Sequence, residues 1–305
     1  MKNTIIVILV IIIVGVGGYF IIKSLSGGAD VAGVSNVAST SSGNELATGT
    51  PDHSVIEDKT QTIIGKSVQG RDIIAYHFGA GATEIIFVGG IHGGYSWNTA
   101  LLAYQTMDYL RANPNVIPKN IKVTVIPELN PDGLYMAVGT TSEFAKSDVT
   151  TSESILTSSR FNANNVDLSR NFDCDWQSVG VWQTKSVSGG SAAFSEPESQ
   201  AVKNYVETHG PSAVVVWYSA AGGVYASSCG SGVLPETTAI TNIYANAADY
   251  PAYQSFDFYD TTGDMVNWLA KINIPAISVL LTTHTDTEWT KNLKGIDALL
   301  QHYAK

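Results

Sequence analysis

Cysteine and positive charge are both scarce in this sequence. Its 305 residues include only two cysteines, which excludes a disulfide-rich scaffold and any zinc module built from four cysteines. Lys and Arg number 17 against 27 Asp and Glu, and the formal net charge is −10. Because a nucleic-acid-binding domain needs a basic face to neutralise phosphates, we predict no nucleic-acid partner.

One long run of residues lacks charge altogether. No charged side chain occurs between Lys2 and Lys23, and residues 5–22 are apolar almost throughout. A membrane-spanning helix needs about 20 such residues, whereas the apolar part of a cleaved signal is usually about 7–15 residues long. A buried core helix is a third interpretation, but a terminal segment without a polar face has little to pack against. We predict an uncleaved membrane anchor at residues 1–23, with a cleaved signal as the alternative.

The next segment contains little that could build a core. Residues 24–60 are rich in Ser, Gly, Thr, Ala and Val, a composition typical of a flexible linker. Lys2 and Lys23 lie on opposite sides of the apolar run and give little indication of orientation. We expect a single-pass membrane protein whose C-terminal domain, residues 61–305, lies outside the cytoplasm.

Residues 61–305 alternate between strand-like and helix-like patterns. Strands are expected at 73–77, 84–88, 121–127, 213–217 and 276–281, and helices at 99–112, 197–209, 264–271 and 295–303. Ser195 is the expected N-cap of the helix at 197–209, because Pro197 suits a first turn. This alternation predicts an α/β domain with a mixed, mostly buried sheet between helices, and chemistry at the strand ends.

Four segments carry polar residues in an order that points to one family. They are residues 89–98, which hold His92 among glycines, and residues 130–133, 160–172 and 194–198. Together they resemble the zinc carboxypeptidases of the carboxypeptidase A/B type, and the resemblance covers about residues 61–305. It implies removal of C-terminal amino acids from peptides by a zinc ion held by two His and one Glu, with a second Glu as the base.

The resemblance also implies that the hydrolytic site has been lost. His92 matches the first zinc ligand, but the Glu due three or four residues later is replaced by Tyr95 or Ser96. Tyr218 stands where the second His is expected, and Leu280 stands where the catalytic Glu is expected. Since one His does not hold zinc against solvent, the zinc implied by the family is expected to be absent or weakly bound.

Several residues that match the family's substrate-binding positions are kept. By the same resemblance, Arg170 matches the arginine that clamps the peptide's terminal carboxylate, Ser169 replaces its Asn partner, and Arg160 matches the oxyanion arginine. Tyr259 matches the tyrosine that covers the substrate, and Val266 falls where side-chain preference is set, which favours a neutral or hydrophobic terminal residue. The competing interpretation makes these arginines ordinary ion-pair residues and Tyr259 a loop-packing residue.

Two further expectations concern residues beside the cleft. Cys174 follows the third segment and Cys229 follows the strand and loop after Tyr218, so we expect a disulfide between them and an oxidising compartment, with two free thiols as the alternative. His284 is a polar loop residue that could in principle supply a replacement metal ligand. No Gly-x-Ser-x-Gly elbow surrounds the serines at the site, which argues against a serine hydrolase.

Three functions follow from these residues. The first is a non-catalytic pseudo-peptidase at the membrane that binds peptide or protein C-termini. The second is a working metallocarboxypeptidase whose zinc is held by ligands not recognised in the sequence. The third is a structural envelope domain, which would have no need of Arg160 and Arg170.

Overall fold

A computed structural model describes residues 60–304 of the chain. The predicted anchor, and all but the last residue of the predicted linker, lie outside this range. Within residues 60–304, no helix is both long and apolar enough to cross a membrane.

A mixed eight-stranded sheet forms the centre of the described domain. In spatial order its strands are β1 (Gln61–Lys66), β2 (Asp72–Phe78), β4 (Ile121–Ile126), β3 (Thr83–Val88), β7 (Ala213–Ser219), β10 (Ala276–Leu281), β8 (Gly223–Ala226) and β9 (Ala252–Tyr253). The four central strands β4, β3, β7 and β10 are parallel, whereas β1, β2 and β8 pair antiparallel with their inner neighbours. A separate hairpin joins β5 (Val179–Trp182) and β6 (Lys185–Ser188).

Helices cover both faces of the sheet, which confirms the predicted α/β arrangement. They are α1 (Trp97–Ala112), α2 (Pro131–Val138), α3 (Glu153–Ser158), α4 (Pro197–His209), α5 (Pro235–Ala248), α6 (Met265–Lys271) and α7 (Trp289–His302). Alternate residues of β3 point to opposite sides: Phe87 belongs to the apolar cluster with α1, α5 and α7, and Val88 to the cluster with α4 and α6. A strand buried on both faces is mostly apolar, as β7 and β10 are apart from Ser219 and Ser278.

The predicted N-cap of α4 is wrong by one residue. The helix begins at Pro197 with Glu196 at the N-cap, and Ser195 lies one residue earlier. The start of the helix is held by Asn171, a residue distant in sequence whose side-chain oxygen accepts from the Glu196 amide at 3.1 Å and from the Ser199 hydroxyl at 2.6 Å. Ser195 instead donates to the Glu196 carboxylate at 2.8 Å. Hydrogen bonds from Asn171 therefore connect the segment at residues 160–172 to the segment at residues 194–198.

Glycines bring the loop after β3 close to the ends of the neighbouring strands. Gly90 has a φ of +65°, and a Cβ there would lie 2.9 Å from the Pro127 carbonyl oxygen. Gly93 has a φ of +45°, and its Cβ would lie 2.4 Å from the Ser159 carbonyl oxygen. Larger side chains would push this loop away. The close approach holds His92 at the carboxyl-terminal edge of the parallel strands.

Candidate functional site

A cavity of about 440 Å³ opens at the carboxyl-terminal edge of the central strands. Of the ten positions that the resemblance assigns to the site, the fold brings nine to its wall, and Ser96 is the exception. The nine are His92, Tyr95, Arg160, Ser169, Arg170, Tyr218, Tyr259, Val266 and Leu280.

His92 is held in a fixed orientation on the cavity wall. Its Nε2 lies 3.0 Å from the Ser169 hydroxyl and 3.6 Å from Asp167 Oδ1, while its Nδ1 is buried and has no hydrogen-bond partner within residues 60–304. Burial, together with the Arg160 charge, lowers the pKa of His92 to about 4, against the opposing effect of Asp167. The imidazole is therefore neutral at neutral pH, and the Ser169 hydroxyl and Asp167 favour the proton on Nε2.

The other metal-ligand positions do not fit zinc. Tyr218 packs its ring 5.5 Å from the His92 ring and donates its hydroxyl to Asp264 at 3.1 Å. Burial raises the pKa of Tyr218 well above its usual range, and Asp264 adds to this, so the phenol stays protonated and is a poor metal ligand. The Ser96 hydroxyl is buried and has no partner among the described residues, and Tyr95 packs edge-on against Trp182.

Metal-binding side chains do not cluster elsewhere in the cavity either. Within residues 60–304, the one group of His, Cys, Asp and Glu compact enough to hold a metal is Cys174, Asp175 and Cys229. The structure joins both of its sulfurs in a disulfide, so neither is available as a thiolate. A zinc site needs three protein ligands around an open position. The cavity supplies two histidines with an unused nitrogen, His92 and His284, and neither belongs to a group of three ligands within residues 60–304 that is compact enough to hold a metal. The donor set therefore does not fit the metal that the family implies.

Arg160 and Asp167 form a buried ion pair behind the cavity. Arg160 Nε donates to Asp167 Oδ2 at 2.9 Å, and Arg160 Nη2 lies 2.8 Å from the same oxygen. Both residues are at most 2 % exposed. Burial alone would raise the pKa of Asp167, but the Arg160 guanidinium, with His92 and Arg170, holds it well below its usual range. The Arg160 charge is thus already balanced, which leaves it less free to act as an oxyanion-type residue.

Removing one member of this pair should destabilise the protein strongly. In an Asp167→Asn variant the buried Arg160 charge loses its partner, and we expect the free energy of unfolding to fall by about 3–5 kcal/mol. The matched control is Asp72→Asn, which breaks the exposed pair with Lys66 and should cost under about 1 kcal/mol. Urea denaturation of both variants measures the difference.

The pH dependence of this effect has a definite sign. Because the pKa of Asp167 is depressed in the folded protein, its stabilisation is complete above the unfolded-state pKa and is lost as pH falls through the folded-state value. The difference between wild type and Asp167→Asn should therefore be constant near neutral pH and shrink only in strong acid. Equal losses for Asp167→Asn and Asp72→Asn would contradict the buried pair.

Arg170 carries a positive charge that lies on the cavity wall. Its Nε and Nη2 donate to the Val181 carbonyl oxygen at 3.1 and 2.9 Å, and its Nη1 donates to the Ser169 carbonyl and hydroxyl oxygens at 2.7 and 3.2 Å. No carboxylate within residues 60–304 forms an ion pair with it. These contacts fix the guanidinium plane and leave one of its five N–H groups free for a ligand.

The remaining predicted residues lie around Arg170. The Tyr259 ring centre is 5.7 Å from the Arg170 guanidinium carbon, whereas Val266 and Leu280 are buried in the wall, with 4 % and 7 % of their surfaces exposed. Leu280 has no group that could accept a proton. The residues that the resemblance assigns to the site thus lie close together. The Val266 side chain is apolar and differs from ordinary core packing only by its position on the cavity wall.

Asp264 and His284 also line the cavity, at positions that the resemblance does not assign. Asp264 caps α6 by accepting from the Val266 amide at 3.1 Å, and burial raises its pKa while Arg170 and the Tyr218 hydrogen bond oppose the rise. The His284 ring lies tilted against the Tyr95 ring with centres 4.4 Å apart, and its Nδ1 is buried with no partner within residues 60–304. The start of a helix was the only sequence signal for Asp264.

A disulfide braces one wall of the cavity. The Cys174 and Cys229 sulfurs are 2.16 Å apart, so the structure pairs the two cysteines. Cys174 follows the segment that carries Arg170, and its carbonyl accepts from the Gly263 amide at 2.7 Å. Cys229 follows Ser228, which lines the cavity. The bond therefore ties the segment that carries Arg170 to the segment that carries Ser228.

Loss of this bond should destabilise the domain measurably. The cysteines are 55 residues apart, and chain-entropy arguments give about 4 kcal/mol for a loop of that length. We expect the double variant Cys174→Ser, Cys229→Ser to lose about that much in urea denaturation. A reductant should shift the wild type similarly and leave the variant unchanged. A nonreducing mass spectrum showing two free thiols would contradict the bond.

Comparison with known proteins places these features in one family. A family model described as zinc carboxypeptidase matches residues 57–288. Carboxypeptidase Z of Rattus norvegicus is 25% identical over 167 residues, which are 48% of this chain and 24% of the relative, so the chain spans about a quarter of that protein.

Solved structures show the same fold at low identity. Murein-tripeptide amidase MpaA from Escherichia coli O157 superposes with a TM-score of 0.58 at 21% identity, covering 80% of this chain and 92% of the other. Carboxypeptidase A from Helicoverpa armigera gives a TM-score of 0.62 at 19% identity, covering 80% and 68%. At such identities the likeness establishes the fold alone.

Proposed function

Because the chain belongs to the zinc carboxypeptidase family, we propose that it is a membrane-anchored, non-catalytic member that binds peptide or protein C-termini without hydrolysing them. The observation that carries this proposal is that one cavity keeps a substrate-binding arginine but lacks residues that hydrolysis requires. Arg170 keeps a guanidinium with no carboxylate partner among the described residues, whereas Tyr218 and Leu280 stand at positions that hydrolysis would need.

Arg170 supports the binding half of the proposal. A terminal carboxylate would supply the ion pair that residues 60–304 do not give this guanidinium, and charge-assisted hydrogen bonds of this kind are strong. The guanidinium is held by Val181 and Ser169, so little side-chain entropy is lost when the ligand binds. Tyr259 lies close enough to cover the bound residue.

The metal positions support the absence of hydrolysis. With Tyr218 protonated and hydrogen-bonded to Asp264, and with His92 contributing one unused nitrogen, the cavity lacks a complete set of zinc ligands. Leu280 cannot act as a general base, and loss of a base typically reduces the rate by about 10²–10⁴. The incomplete set of zinc ligands and the missing base both lower the rate of hydrolysis.

We place the domain outside the cytoplasm, anchored by the apolar run at residues 5–22. The disulfide between Cys174 and Cys229 supports an oxidising compartment. The ligands would then be C-termini of peptides or proteins of the cell envelope.

An active metallocarboxypeptidase is the second candidate. The observation in its favour is that His92 and His284 both line the cavity and both have a buried Nδ1 without a partner among the described residues. A third ligand and a base would still have to be supplied when substrate binds.

Two measurements on the purified full chain separate these functions. The first is zinc per chain by elemental mass spectrometry, which we expect to be near zero. The second is calorimetric binding of a peptide with a free C-terminus and of its amide, and we expect the free acid to bind at least about tenfold more tightly. About one zinc per chain with release of terminal residues would favour the active enzyme, and binding of neither peptide would favour a structural domain.

A further inference from the structure

The disulfide beside the cavity belongs to a group of side chains with the composition of a metal site. We call it the Cys–Asp group, and it consists of Cys174, Asp175 and Cys229. Within residues 60–304 it is the one set of three metal-ligating side chains whose ligand atoms all lie within 4.8 Å of one another. Cys174 Sγ lies 3.7 Å from Asp175 Oδ2. A carboxylate is therefore placed directly beside the two sulfurs.

The spacing of these atoms suits a tetrahedral metal ion. Bonds of about 2.3 Å to sulfur and about 2.0–2.2 Å to oxygen place the neighbouring ligand atoms of a zinc ion about 3.5–3.8 Å apart. The Cα atoms of Cys174 and Cys229 are 6.0 Å apart. Once the bond between the sulfurs is broken, side-chain rotation is enough to bring them to this spacing.

An ion can reach the Cys–Asp group from one side. Cys174 is buried, Cys229 is half-buried and Asp175 is exposed. Three protein ligands around one open position can hold zinc. Thiolate ligands select zinc and softer metals, whereas Mg²⁺ and Ca²⁺ take oxygen ligands.

We propose that reduction of the disulfide converts the Cys–Asp group into a binding site for one divalent cation of the zinc class. The inference is independent of the proposed function, because none of the three residues lines the cavity. In the first step a dithiol gives two electrons and two protons to the two sulfurs and is itself oxidised to a disulfide. The cation then displaces both thiol protons and bonds to the two thiolates and the Asp175 carboxylate.

The ion replaces one cross-link by another. Disulfide and metal both connect Cys174 to Cys229, which are 55 residues apart, so the segment that carries Arg170 stays tied to the segment that carries Ser228 in either redox state. Outside the cytoplasm the disulfide is the expected form. The metal form belongs to the chain before its thiols are oxidised, or after a dithiol has reduced them.

Cobalt titration of the reduced full-length chain tests this inference. Cobalt substitutes for zinc, and its thiolate charge-transfer absorption reports bonds to sulfur alone. After reduction by a phosphine, which is then removed in the absence of air, the chain should bind about one Co²⁺ with this absorption, and zinc should displace it. The oxidised chain should show no such absorption.

Two neighbouring aspartates provide matched variants. Asp175→Asn should weaken cobalt binding at least about tenfold, because even the outer partners of metal ligands are worth about 10–100-fold in affinity. Asparagine also tolerates the φ of +49° at this position, so the backbone is kept. Asp173→Asn makes the same change of charge outside the group, where Asp173 pairs with Lys271 at 2.9 Å, and should bind cobalt like the wild type. Cys174→Ser, Cys229→Ser should abolish the absorption.

Three results would overturn the inference. They are a reduced wild type without thiolate-bound cobalt, equal losses for Asp175→Asn and Asp173→Asn, and one ion per two chains with a dimer in sedimentation, which places the metal between chains. If circular dichroism shows the reduced chain unfolded, zinc should restore the fold, and failure to do so also rejects the site. The zinc content expected of a non-catalytic domain is that of the oxidised chain, so each proposal can fail without the other.

Discussion

Zinc content should rise from near zero to about one ion per chain when the lost ligands are restored in the variant Tyr95→Glu, Tyr218→His, Leu280→Glu. The contacts that would orient His92 as the first zinc ligand are already present. His92 is oriented by Ser169 and Asp167, and its Nδ1 is unused among the described residues. A histidine whose second nitrogen contacts a carboxylate is the arrangement that metal sites use to fix their ligands.

The structure decides where the glutamate should be placed. Tyr95 lines the cavity, whereas Ser96 is fully buried and does not. The corresponding variant with Ser96→Glu in place of Tyr95→Glu should therefore bind much less zinc and lose stability. Elemental mass spectrometry of both variants gives the comparison.

Controls separate metal binding from catalysis. Tyr95→Glu, Tyr218→His without the change at Leu280 should bind zinc but release C-terminal residues about 10²–10⁴-fold more slowly than the triple variant. Adding His92→Ala should remove the zinc. A triple variant that is folded by circular dichroism yet free of zinc would mean that the cavity has been rebuilt beyond the ligand positions themselves.

Binding of a free C-terminus should fall about 10- to 150-fold in an Arg170→Ala variant. A hydrogen bond to a charged group contributes about 1.5–3 kcal/mol, and the arginine offers the ligand both a charge and a free N–H group. Arg170→Lys should recover part of the loss, because it keeps the charge but not the planar fork. Calorimetry with free-acid and amidated peptides measures the effect, and the amide should be insensitive to both changes.

The control for this prediction is Arg71→Ala. Arg71 donates to Asp132 at 2.7 Å, packs over Tyr135 at 4.1 Å and does not line the cavity. Since Arg170 also supports Val181, thermal unfolding must show that Arg170→Ala remains folded at the assay temperature. Unchanged affinity for the free acid in a folded Arg170→Ala protein would refute the carboxylate clamp and favour a structural domain.

Local sequence patterns were sufficient to predict the central strands and the helices that pack on them. Strands buried on both faces are mostly apolar, and the apolar run at 213–217 therefore predicts the sheet-centre strand β7. Helices at 99–112 and 264–271 agree with α1 and α6 to within two residues. The motif order identified the zinc carboxypeptidase family, which the match over residues 57–288 confirms.

Short and irregular elements could not be read in the same way. The strands β5, β6 and β9 are too short to show the alternation of apolar and polar residues that identifies a strand in a sequence. Ser195 has the side chain of a good N-cap, yet the helix begins after Glu196, and the Ser195 hydroxyl donates to the Glu196 carboxylate instead. Hydrogen bonds from Asn171, which is distant in sequence, hold this helix start and cannot be predicted from the local sequence.

At the site, residue types are known from the sequence, but what each group can do depends on contacts that form only on folding. The loss of Glu and His at the ligand positions is evident from residue types alone. That Arg160 is balanced by Asp167 while Arg170 has no such partner among the described residues depends on the distances between segments. Charge balance acts over a few ångströms in space, and folding alone sets those distances.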